Sequence, residues 1–149
     1  MNHLLNTKIH IQTHSFFRGL KPEHLEVIQT GATPQIVESG QVLFHQGSPA
    51  NSLFLIEKGR VALESIVPGK QPILIQVLTA GELLGWSWLF PPFTWHFQAR
   101  ALERTELVVM NGAHLLVAAE QDHDFGFALM KRVAQVLIER LQKTRNNLV

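Results

Sequence analysis

Cysteine is absent from the 149 residues, which excludes a disulfide framework and any thiolate metal site and suits a reducing cytoplasm. A strong charge of either sign is missing too. The formal net charge is +1 with 17% charged residues, so no overall field favours nucleic acid or an anionic membrane. No stretch supplies the roughly 18 consecutive apolar residues of a membrane span. The opening MNHLLNTKIH lacks the charged start, long apolar run and small-residue cleavage site of a signal peptide. Internal repeats and low-complexity tracts are also lacking. What remains is the expectation of one soluble, cytoplasmic domain over residues 1–149, large enough to bury a core without covalent staples.

Within that domain the hydrophobic period changes twice. Up to about Thr30 it is helical: Leu20 ends an aromatic patch (Phe16, Phe17), Pro22 and Glu23 suit a first turn, and Leu25 and Ile28 are i, i+3 neighbours. From about Gly31 to Met110 short β-favouring runs take over, at Val42 to Phe44, Leu53 to Ile56, Val61 to Leu63, Ile73 to Leu78 and Leu107 to Met110. Gly40, Gly47, Gly59, Gly69 and Gly81 separate them at intervals of seven to twelve residues, the pattern of an antiparallel barrel or roll. Helix then returns. Asn111 is placed to cap a short helix through Val117, and Asp122 a longer one toward Asn146.

The order of these pieces resembles a known family. FFRGLKPEHLEVIQTGA, then ESGQVLFHQGSPANSLFLIEKGRVALES, then AGELLGWSWLF and ARALERTELVVM are similar to the cyclic-nucleotide-binding domain of catabolite-activator (Crp/Fnr-type) regulators, over about residues 14–145. The resemblance implies a mainly β fold with flanking helices. Its centre is a double-stranded β-helix, or jelly roll, of about eight strands, which together with short N-terminal helices takes up about 14–110, followed by C-terminal helices over 111–149 that include a long last one. In that family the long last helix makes a parallel dimer. Here the stripe Phe125, Leu129, Val133, Val136, Leu137 and Leu141 falls at three and four residue spacings. It is expected either to lie on its own barrel or to form a two-fold seam in a homodimer through Asp124 to Asn146.

The resemblance also singles out Gly81 to Phe97, GELLGWSWLFPPFTWHF, which holds all three tryptophans. In the family this stretch is a phosphate-binding cassette: a Gly-Glu step, a short helix, and an Arg that clamps the cyclic phosphate. An anion brought into a partly closed pocket needs amide N–H groups and a guanidinium. The cassette positions here are Gly81, Glu82, Leu84, Gly85, Trp86, Ser87, Trp88, Trp95 and His96. Gly85 falls at the Gly, Trp86 at the Glu, Trp95 at the Arg and His96 at the small hydroxyl beside it. Arg100 is set outside the pocket by the same alignment. A desolvated phosphate without its charge partner costs about 2–5 kcal/mol. At about 1.4 kcal/mol per tenfold, a micromolar affinity falls by roughly two to three orders of magnitude, so cyclic AMP is expected to bind weakly or not at all.

Two readings of the cavity compete. Trp86, Trp88, Trp95, Phe93 and Phe97 could line a pocket for a nucleotide or neutral aromatic effector, with Ser87, Thr94 and His96 as orienting groups. Alternatively the rings fill the space and leave a ligand-free interaction scaffold, the option favoured by how often large rings belong to cores.

Other chemistry finds little support. The eight histidines, His3, His10, His14, His24, His45, His96, His114 and His123, include no His-x-His pair, which argues against a cupin-type metal site. No G-x-S-x-G elbow is present, and neither an enzyme nor a bound cofactor is expected. Lys131, Arg132, Arg140, Lys143 and Arg145 are spread around the last helix and interrupted by Glu139, reading as a solvated face. The family's helix-turn-helix module would begin beyond Val149. Direct DNA binding by this chain is therefore not expected.

Overall fold

The computed structural model describes Phe17 and residues 20–148, so Phe16, His3, His10 and His14 lie outside the described residues. Helix α1 (Pro22–Gln29) starts at the expected proline, whose missing amide and fixed φ suit a first turn. Its inner face buries His24 and Ile28.

Eight strands follow among the described residues: β1 (Thr33–Val37), β2 (Val42–Phe44), β3 (Ser52–Lys58), β4 (Arg60–Ser65), β5 (Ile73–Thr79), β6 (Leu83–Leu84), β7 (Gln98–Ala101) and β8 (Thr105–Asn111). They pair antiparallel into two four-stranded sheets, ordered β1-β8-β3-β6 and β2-β7-β4-β5. This is the jelly roll that the resemblance implies. All five expected strand runs are present. The turn glycines Gly40, Gly47, Gly59, Gly69 and Gly81 all carry positive φ. Gly59, between β3 and β4, is also held by space: a Cβ there would meet the Arg104 carbonyl at 2.8 Å and the Thr105 hydroxyl, so no side chain fits the turn.

Three strands lack the usual sequence signal, each for its own reason. β1 carries Pro34 and lies at a sheet edge, where four of its five residues are exposed; an edge tolerates the missing amide. β6 has two residues. β7 reads QARA, with Ala99 and Ala101 pointing inward, and its pairing with β2 and β4 outweighs its poor β propensity.

Helix α2 (Gly112–Gln121) is capped by Asn111, whose Oδ1 accepts from His114 N at 3.0 Å. Helix α3 (His123–Asn147) is capped by Asp122, whose Oδ1 accepts from Phe125 N at 3.2 Å. Both caps fall on the residues expected from sequence. The apolar stripe of α3 divides, however. Phe125, Leu129 and Val133 are at most 2% exposed within this chain's own core, and Val136 packs partly against it. This corrects the seam drawn from the sequence, because the first three residues are already covered. A different face is left bare: Phe127, Met130, Ala134, Leu137 and Leu141 are exposed and recur at alternating three and four residue steps, the heptad period of a two-stranded coil. No helix among the described residues is long and apolar enough to cross a membrane.

Candidate functional site

The second half of α3 runs over one mouth of the roll, and a cavity of about 340 Å³ lies beneath it. The strands supply an apolar wall of Phe44 from β2, Leu63 from β4, Ile75 from β5 and Leu84 from β6. The corner Gly85–Ser87 and the segment Trp95–Phe97 form one rim, together with Phe90. Leu137, Arg140, Leu141 and Thr144 of α3 close the opposite side. The volume falls in the range of small-molecule sites.

The cassette is shaped by one glycine. Gly85 has φ +95°, and a Cβ on it would come within 2.8 Å of the Ser52 carbonyl and 3.1 Å of the Trp95 ring. Only glycine lets the chain turn there with an indole against it. Trp95 is anchored at both backbone groups: its N donates to Ser48 O at 2.9 Å, and its O accepts from Gly47 N at 2.8 Å. Its ring stacks on Phe44 with centroids 3.8 Å apart. Trp86 is likewise buried and faces the same cavity. Both rings border the cavity, and space remains beside them.

Not every cassette position reaches the cavity. Leu84, Gly85, Trp86, Ser87, Trp95 and His96 line it, with Ser87 Oγ and His96 Nδ1 3.0 Å apart as its hydrogen-bonded polar edge. Trp88 turns the other way: its Nε1 donates to Gly85 O. A Cβ on Gly112 would lie 2.6 Å from its Cγ. It locks the 3-10 turn Ser87–Leu89 against α2 and is structural. Gly81 and Glu82 also stay outside the lining. Glu82 accepts from Thr79 N at 2.6 Å and from Lys143 Nζ at 3.3 Å, joining the turn before β6 to α3. Phe93 is exposed, and Thr94 bridges to Pro49; neither lines the cavity, whereas Phe90, unremarked in the sequence, does.

Electrostatics divide the two candidate arginines. Arg100 forks onto buried Glu64, Nε to Oε1 at 3.1 Å and Nη2 to Oε2 at 2.9 Å, with Gln98 Nε2 adding a third bond at 3.2 Å. The Arg100 hydrogen bond holds the Glu64 carboxyl below its ordinary value, against the opposing effect of burial. That guanidinium is paired with Glu64 and is not part of the cavity lining. Arg140, read from sequence as part of a solvated face, instead lines the cavity. Burial lowers its pKa, while attraction from Glu82 and Glu139 acts the other way. The missed signal was helical spacing, because Arg140 follows Val133 by seven residues and Leu137 by three, on the inward face.

Among the described residues no three His, Asp or Glu side chains gather as a metal site. The family model described as "Cyclic nucleotide-binding domain" matches residues 34–122. Over 94 residues the chain is 30% identical to the cyclic AMP receptor protein of Thermus thermophilus, covering 63% of this chain and 44% of that protein. Over 71 residues it is 41% identical to acetyltransferase Pat of Mycolicibacterium smegmatis, covering 46% of this chain and 21% of that protein. The chain thus spans less than half the length of either relative. A solved structure of a cyclic nucleotide-binding protein from Geobacter metallireducens GS-15 superposes with a TM-score of 0.80 and 27% identity, covering 95% of this chain and 99% of that one.

Proposed function

The chain belongs to the cyclic nucleotide-binding domain family, and from that premise we propose that it is the effector-sensing domain of a Crp/Fnr-type transcription regulator which does not take cyclic AMP in the usual way. The observation that carries this reading is an open apolar cavity lined by indoles, Trp86 and Trp95, at the positions where the resemblance sets the cassette's Glu and its phosphate-clamping Arg. Arg100 offers no substitute, since Glu64 occupies it. An open cavity also favours a sensor over a ligand-free scaffold. Isothermal calorimetry with cyclic AMP is the direct test, and no micromolar uptake is expected. A micromolar dissociation constant overturns the proposal.

The output follows from which side chains the two faces share. Leu137 and Leu141 line the cavity and also belong to the exposed heptad stripe of α3. We read that stripe as the seam of a homodimer. An effector that packs against these leucines changes the same surface that meets the second copy, so it can bias two arrangements of the dimer. No chemical step is assigned to the chain. DNA contact, where the regulator needs it, is assigned to a module other than this roll.

A further inference from the structure

Resting on the reading of this cavity as an effector site, we propose that it takes an aromatic carboxylic acid, with its rings against Trp86 and Trp95 and its carboxylate on the guanidinium of Arg140. Three observations lead there. The first is the charge of the lining, which includes Arg140 and no carboxylate. The second concerns the two acids that attract it, Glu82 and Glu139. The Glu82 carboxylate is already held by the Thr79 amide and by Lys143. Among the described residues no carboxylate comes within 4.0 Å of the Arg140 guanidinium. A half-buried guanidinium that carboxylates reach only at longer range keeps a desolvation cost, and a ligand anion in contact with it relieves that cost.

The third observation is the rest of the surface. The aromatic residues Trp86, Phe90, Trp95 and Phe97 line it, and Ser87 with His96 supplies a small polar edge. Flat rings are matched by flat rings. Arg140 reaches the site from α3, opposite the cassette, so the ligand's charge meets the helix that carries the exposed heptad stripe. Binding would therefore couple straight to that helix, without a cassette arginine.

The test compares two probes of one shape and different charge, naphthalene-2-acetate and naphthalene-2-acetamide, by isothermal calorimetry on the full chain. The acid is expected to bind at least about tenfold more tightly than the amide, the margin of a charge-assisted over a neutral hydrogen bond. Arg140→Met should erase that preference, read as the ratio of acid to amide affinity in each protein. Arg140→Lys should keep part of it, and thermal melts of both variants show that they remain folded. Equal affinity of the two probes, unaffected by Arg140→Met, overturns the carboxylate assignment and leaves the cavity a sensor for neutral ligands. If neither probe binds the folded wild-type chain, the aromatic-acid assignment and the effector-site reading of this cavity both fall.

Discussion

The indole of Trp95 lies flat on the phenyl ring of Phe44, with centroids 3.8 Å apart and planes 17° from parallel. The stack joins the cassette to β2 at the floor of the cavity. It sets an aromatic side chain against the cavity's strand wall. Because Trp95 is 5% exposed, it is as much a core residue as a lining residue.

That dual role gives the first expectation. Trp95→Ala removes the stack and leaves a hole beside Gly85, and buried Trp to Ala changes cost about 3–5 kcal/mol. A lowered denaturation midpoint is expected in chemical unfolding. A loss below about 1 kcal/mol would mean that the ring contributes little to the core.

The Glu64–Arg100 fork makes stability depend on pH with a defined sign. Glu64 titrates below its ordinary value of 4.5, chiefly because Arg100 hydrogen-bonds its ionised form. A depressed carboxyl contributes stability that is fully present above the unfolded value and is lost as pH falls through the lower folded value. Arg100→Met should cost about 2 kcal/mol at neutral pH. The gap to wild type should close on acidification below 4.5. Denaturant midpoints measured across that range check both the size and the direction; a gap that widens in acid contradicts the pairing.

The exposed face of α3 predicts a change of mass. Phe127 and Met130 are 69% and 40% exposed and lie off the cavity, so Phe127→Asp with Met130→Asp should leave the fold intact. Light scattering is expected to show a dimer for wild type and a monomer for the double variant, because paired charges at heptad core positions repel across a seam. Equal masses for the two proteins remove the homodimer.

Much of this architecture was legible from local chemistry. Pro22, Asn111 and Asp122 mark helix starts through rules that involve only neighbouring backbone amides. The turn glycines announce themselves by the backbone conformation they alone adopt without strain. The strands that stayed hidden, β1, β6 and β7, are an exposed edge carrying Pro34, a two-residue strand and the weakly β-forming QARA, and their pairing supplies what their own residues do not signal.

By itself, then, the chain order determined the turns, the caps, the apolar strand runs and the concentration of indole in one short segment. Only the tertiary structure decided which face of α3 turns inward, that the rings of the cassette leave a void, and that Arg140 stands over it. The reason is that both faces of α3 are apolar at helical spacing, and burial is chosen by the shape of the roll that the helix meets. A guanidinium seven residues beyond Val133 reaches the cavity because α3 continues past the core and across the mouth of the roll, a relation between distant surfaces that no local pattern carries.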